Sequence, residues 1–179
     1  IGVIKMEVSR NDEPQDDFLV KVRKIASENN IILIFDECTS GFRKNFGGLH
    51  KLYDVEPDVA MFGKALGNGY AVTAVLGKRE VMQAAEKSFI SSTFWTERIG
   101  SSAALATLKA MDKEKSWEKI TSTGESINKE WIKLSQEYEL PITISGLAAL
   151  TTFTFKSKNA LAYKTLITQE MLKKGYLAA

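Results

Sequence analysis

Apolar and polar positions along this chain follow two different periods. Residues 1–8, 31–36 and 59–62 are short apolar blocks of strand length, while residues 16–28 place Phe18, Leu19, Val22, Ile25 and Ala26 three and four apart, the spacing of one helical face. That helix is expected to open at Asp16 and Asp17, where the positive end of its dipole favours anions, and to stop at Asn29-Asn30. Strand, helix and strand in succession predict a parallel sheet with helices on its faces. A strand over 71–76 and helices over 78–87 and 98–111 continue the series, the last carrying Ile99, Ala103, Leu105, Leu108 and Met111.

The texture changes after residue 112. Trp117, Ile120, Gly124, Ile127, Trp131, Leu134 and Tyr138 recur at steps of three and four, predicting one long helix with a single apolar seam that links two domains. Pro141 ends it. Strands are expected over 142–145 and 150–155, followed by a helix over 159–174 that stops at Gly175, the usual glycine just past a helix end. The expected division is 1–112 and 113–179.

Composition narrows the class. With 44% hydrophobic and 26% charged residues in 179, the chain can build a sizeable core. Twenty-four Lys and Arg against twenty-two Asp and Glu leave +2 with no block of like charge, which argues against a nucleic-acid partner. A single Cys38 excludes an internal disulfide framework, and a single His50 leaves no metal-ligand spacing, so a reducing, cytoplasmic setting without metal is expected. The longest apolar runs are strand-sized, so no membrane segment is expected. Ile1 opens directly into a strand without an initiator Met, which reads as an interior piece of a longer chain.

Two apolar blocks end in charge: Ile-Ile-Leu-Ile-Phe-Asp36 and Val-Ala-Met-Phe-Gly63-Lys64. Asp and Lys are almost never buried unpaired, so both belong at a sheet rim. An Asp there often caps the following turn, and a Lys is often a solvated loop residue. A second reading is chemical. An Asp at one strand tip could pair with the ring nitrogen of pyridoxal phosphate, and a Lys at another could form the imine with its aldehyde carbon. Gly63, Gly67 and Gly69 favour that reading, because they permit close approach of main chain to a ligand. A nucleotide phosphate loop does not fit: Lys64 precedes the later glycines and no Ser or Thr follows it.

Leu-Ile-Phe-Asp-Glu-Cys-Thr-Ser-Gly-Phe-Arg and Pro-Asp-Val-Ala-Met-Phe-Gly-Lys-Ala-Leu-Gly-Asn-Gly-Tyr resemble, in order and separation, the two signature blocks of class III pyridoxal-phosphate aminotransferases. The stretches Gly41-Phe42-Arg43 and Phe46-Gly47-Gly48 are most similar to the glutamate-1-semialdehyde 2,1-aminomutase branch. The resemblance implies an α/β fold: half of a fold-type-I large domain, with a mostly parallel sheet and flanking helices, plus part of a smaller α+β C-terminal domain. It implies pyridoxal 5′-phosphate as cofactor, with Asp36 on the pyridine nitrogen and Lys64 as covalent anchor and proton shuttle. Cys38 takes the place of a Val packed on the ring face and reads as a small hydrophobe.

Thr93, with Ser92 beside it, matches the Thr that binds the cofactor phosphate of the neighbouring subunit in a homodimer. Family members continue Gly-Asn-Pro there, whereas this chain reads Trp95-Thr96-Glu97. Glu7 falls at the family's Glu-Pro pair, with Val8 replacing the Pro, and reads as structural. The family's phosphate-holding Gly-Ser helix start and ring-stacking aromatic precede the position of Ile1, so these 179 residues alone are expected to hold cofactor weakly or not at all. The implied substrate is a small amino or keto acid. An aminomutase stands ahead of an ordinary ω-transaminase, and a noncatalytic relative retaining the fold is the third reading.

Overall fold

The computed structural model describes residues 1–91 and 93–177, and within them six strands and five helices. β1 (Val3–Met6), β2 (Ile32–Asp36), β3 (Val59–Phe62) and β4 (Ala74–Gly77) form one sheet in that order. β1 runs parallel to β2 with Lys5 opposite Ile34, and β2 runs parallel to β3 with Asp36 opposite Met61. β4 is antiparallel to β3. Its direction follows from the connection: residues 63–73 hold only a short 3-10 turn, Lys64–Leu66, too little chain for the helical crossover that a parallel neighbour needs.

Strand side chains alternate between faces, and the register sorts them. Ile4, Met6, Leu33, Phe35, Ala60 and Phe62 share one face. α1 (Phe18–Glu28) lays Leu19 and Ala26 on Leu33 and Phe35, all fully or nearly fully buried. α3 (Arg98–Glu114) lays Ala104, Leu108 and Met111 against Phe42, Ala60, Phe62 and Leu66. Both helices therefore cover the same side. The opposite face carries Val3, Lys5, Ile34, Asp36, Met61 and Val75.

At the end of the sheet where β3 begins, Asp58 ties three elements together. Its carboxylate accepts the Leu33 backbone N–H at 2.8 Å, Arg23 of α1 at 2.9 Å and Lys78 at 2.7 Å. β4 then leads into α2 (Arg79–Met82), which passes into a 3-10 turn over Gln83–Lys87 where one helix over 78–87 is expected.

α3 and α4 (Ser116–Glu137) meet at one left-handed residue, Lys115, φ 49°. Gly124 is buried against the 3-10 turn Ala148–Leu150, and a Cβ there would overlap the Ala148 carbonyl. Thr121 Oγ1 donates to the Arg43 carbonyl at 3.2 Å. β5 (Ile142–Ser145) and β6 (Thr152–Phe155) form an antiparallel pair, and Phe153 meets Trp131 edge-on at 4.9 Å. α5 (Ala160–Lys173) follows, with Gly175 at φ +85° as expected. Leu147 and Leu150 reach back to the cluster of Val8, Leu19 and Leu33.

Two expectations are corrected. Asp16 and Asp17 lie ahead of α1 in left-handed conformations, φ 52° and 55°, and neither caps the helix with its side chain. The seam of α4 turns inward at Ile120, Thr121, Gly124, Asn128 and Trp131, while Ile127, Leu134 and Tyr138 are exposed. Close packing at Gly124 sets the helix rotation and brings the polar Asn128 under Thr151, whose hydroxyl it receives. No described helix is long and apolar enough to cross a membrane.

Candidate functional site

Asp36 is the last residue of β2, and Lys64 follows β3 after Gly63. Because β2 and β3 are parallel neighbours, both residues emerge at the same carboxyl edge of the sheet, where open α/β sheets place ligands. Cys38 stands between them. Its N–H donates to Asp36 Oδ1 at 3.1 Å, and a Cβ on Gly63 would sit 3.4 Å from its Sγ. Burial, reinforced by the neighbouring Asp36 carboxylate, pushes the Cys38 thiol up and keeps it neutral, as suits a packing residue.

Lys64 is exposed and donates from Nζ to Thr39 Oγ1 at 2.7 Å. Its backbone is left-handed, φ 43°, a conformation costly for a side chain with a Cβ and concentrated at functional sites. Lys64 lines two cavities. One, about 230 Å³, is lined by Glu7, Ser9, Thr39, Ser40 and Leu147, and the other, about 530 Å³, by Phe42, Asn68, Met111 and Ile120.

Asp36 already has a cationic neighbour that the sequence reading missed. Lys5 Nζ lies 2.8 Å from Asp36 Oδ2. The hydrogen bond from Lys5, helped by the Cys38 N–H, holds the Asp36 carboxyl below its usual range against partial burial. The one available signal was a charge in the middle of an apolar strand, Val-Ile-Lys-Met.

A second omission shapes the loop beneath the site. Glu37 is fully buried, accepts the Ser40 hydroxyl on one oxygen and receives both the His50 N–H and the His50 ring Nδ1 at 2.9 Å on the other. Burial opposes its charge, but donation from His50, Ser40 and the Leu49 backbone outweighs it and holds the carboxyl below 4.5. The residue's contribution to stability is then present above that pH and lost as pH falls through the folded-state value. Glu37→Gln is expected to reduce stability at pH 7 by roughly 1–3 kcal/mol and to flatten the acid side of a urea-midpoint profile. An acid side as steep as in the parent would show that this carboxylate contributes nothing there.

Thr93 lies in an exposed turn before α3, and among the described residues no hydrogen bond joins it to Asp36, Cys38 or Lys64: Asp36 holds Lys5 and the Cys38 N–H, and Lys64 holds Thr39. Ser92 lies outside the described residues. Glu7 is half-buried and pairs with Arg10 at 3.5 Å, and Val8 is in the core. Among the described residues no cluster of His, Cys, Asp and Glu could hold a metal ion.

The sequence model described as aminotransferase class-III matches residues 12–178. A 3-aminobutyryl-CoA aminotransferase of Cloacimonas acidaminovorans is 38% identical over 157 residues, covering 87% of this chain and 38% of that relative. Glutamate-1-semialdehyde 2,1-aminomutase of Methanococcus vannielii is 31% identical over 169 residues, covering 91% and 39%. Among solved structures, an omega-transaminase from Sphaerobacter thermophilus superposes with a TM-score of 0.81 at 22% identity, covering 93% of this chain and 42% of its own. An ornithine delta-aminotransferase of Plasmodium falciparum gives 0.75 at 22% identity, covering 87% and 42%. The chain thus spans about two fifths of the length of the relatives it matches. The structures speak for the fold, an α/β, mostly parallel sheet with flanking helices of the fold-type-I transaminase kind. The sequence matches go further: the chain belongs to the class-III aminotransferase family.

Proposed function

We propose that this chain carries the lysine and carboxylate half of a pyridoxal 5′-phosphate site in an enzyme that transfers amino groups. The observation that carries the reading is the delivery of Asp36 and Lys64 to one carboxyl edge by adjacent parallel strands, with the small thiol of Cys38 between them. The donor set fits the group: an ionised carboxylate for a protonated ring nitrogen, an exposed amine for an aldehyde, and a neutral, compact side chain for a ring face. Bound there, the cofactor would supply an electron sink for charge developing on the substrate carbon. Asp36 would keep the ring nitrogen protonated, because a nearby opposite charge favours the charged form. Lys64 would anchor the cofactor covalently and, once released by the substrate amine, accept and return a proton. Ser92 and Thr93 would serve the phosphate of a neighbouring subunit, making the working unit a homodimer, in the cytoplasm, acting on a small amino or keto acid. Residues 1–112 would be the later part of the large domain, and 113–179 the linking helix and first part of the C-terminal domain.

Between the finer activities, the 38% identity to an aminotransferase against 31% and 34% to two aminomutases supports transfer between two molecules over rearrangement within one. Substitution of Trp95-Thr96-Glu97 for the family's Gly-Asn-Pro also accords with a different substrate. Omitting the keto-acid acceptor separates the two, since only an aminomutase turns over without it. The cofactor assignment is tested by borohydride reduction of the protein, expressed from its full reading frame, in the presence of pyridoxal 5′-phosphate. Peptide mass spectrometry should find the phosphopyridoxyl tag on Lys64. A tag scattered over surface lysines, or none, would overturn the assignment.

A further inference from the structure

The register that brings β1 beside β2 sets Lys5 opposite Ile34, and Asp36 lies two residues further along the same face. Lys5 is therefore the diagonal neighbour of Asp36, and its four-carbon stem spans the gap to place Nζ 2.8 Å from Oδ2. The other oxygen, Oδ1, receives the Cys38 N–H. Each oxygen of this carboxylate thus already has one donor from the chain itself. Resting on the function proposed above, we propose that Lys5 is a positioning residue: it serves as the resident counter-ion of Asp36 and, by like-charge competition, weakens that carboxylate's hold on a protonated ring nitrogen.

The physical basis is local. Asp36 is only partly exposed, with side-chain accessibility of 23%, so charges in contact with it are incompletely screened. The titratable groups acting on it are Lys5 on β1 and the Cys38 thiol after β2, with Glu7 just beyond β1 acting on Lys5 and Lys64 after β3 acting on Cys38. Of these, only Lys5 places a positive charge in direct contact with the carboxylate. A second cation arriving at the same group must share it or displace the first, and an ammonium beside a pyridinium disfavours protonation of the ring. The hydrogen bond from Lys5 also holds the Asp36 carboxyl below its usual range before any cofactor arrives.

The test compares the parent protein with Lys5→Met, which keeps the stem and removes the charge, and Lys5→Arg, which keeps the charge. The Asp36 carboxyl is followed through a pH titration by carbon NMR without cofactor, and pyridoxal 5′-phosphate affinity is measured by absorbance. In Lys5→Met the Asp36 midpoint should rise toward the ordinary carboxylate range, while Lys5→Arg keeps it low. Lys5→Met should bind pyridoxal 5′-phosphate roughly twofold to fivefold more tightly, the scale of one partly exposed ion pair, and shift the bound absorbance toward the ring-protonated form at higher pH. An Asp36 midpoint unmoved in Lys5→Met would overturn the ion pair. A raised midpoint with unchanged or weaker cofactor binding would overturn the competition. If neither parent nor variant binds pyridoxal 5′-phosphate at all, the function proposed above fails and the competition with it, whereas the midpoint shift still reports the pair.

Discussion

Replacing Lys64 by Ala is expected to reduce amino-group transfer by roughly 10³-fold or more, because in the proposed site a single amine would both anchor the cofactor and move the proton, and positioned proton transfer alone contributes about 10²–10⁴-fold. Lys64→Arg should be nearly as inactive. A guanidinium keeps the positive charge and the reach, but it does not give up its proton near neutrality and cannot act as base. Neither change should move the unfolding midpoint much. Lys64 is solvent-exposed, its amine makes one hydrogen bond, to Thr39, and Ala inherits the same left-handed backbone at φ 43°. Steady-state turnover and thermal unfolding measured on the same preparations separate the two effects. Turnover in Lys64→Ala within tenfold of the parent would discard this residue as the anchor and favour a relative that keeps the fold without the chemistry.

Asp58→Ala is expected to remove roughly 3–5 kcal/mol of stability, a large part of the 5–15 kcal/mol typical of a folded domain. Loss of the carboxylate strands the Leu33 N–H inside the sheet and leaves the Arg23 guanidinium, itself mostly buried, without a counter-charge. Asp58→Asn should be milder, since an amide oxygen can still accept the Leu33 N–H. The acid profile identifies the charge. Burial opposes ionisation of Asp58, but the Leu33 N–H, Lys78 and Arg23 overcome it and bring the carboxyl from 3.8 down to about 2. That gap, nearly two pH units at about 1.36 kcal/mol each, is worth roughly 2 kcal/mol. A lowered folded-state value means the contribution is whole above pH 3.8 and fades as pH falls toward 2. The gap between the urea midpoints of parent and Asp58→Asn should be clearly narrower at pH 3 than at pH 7, and a difference that stays constant with pH would exclude the charge as the cause.

Much of the architecture was legible in the sequence because burial writes itself into local pattern. The strand Val59–Phe62 and the strand Ile142–Ser145 have the bounds expected from their apolar runs and punctuation. The charged ends of β2 and β3 were legible too, since a carboxylate or amine closing an apolar run has to face the rim. What stayed hidden depends on partners distant in sequence. Lys5 reads as one polar interruption in a strand, and only the register of two strands far apart in sequence makes it the neighbour of Asp36. Glu37 and His50 are 13 positions apart, and nothing local says that one buried carboxylate will collect donors from the other's backbone and ring. The antiparallel direction of β4 was available in principle from the length of residues 63–73. In α4, apolar residues at helical spacing outnumbered the surface available to bury them, so Ile127, Leu134 and Tyr138 remained outside.

The bare Cα of Gly124 also fixes a rotational phase. Each residue added to a helix turns everything after it by about 100°. An insertion of one residue between Ser116 and Ser122 would swing Thr123 onto the Ala148 carbonyl and carry the glycine out to solvent. Length changes in that segment are therefore tolerable only in steps near whole turns, three, four or seven residues, with a new glycine-sized position falling where the old one stood. Among homologues, gaps in this stretch should be quantised while those beyond Glu137 should not.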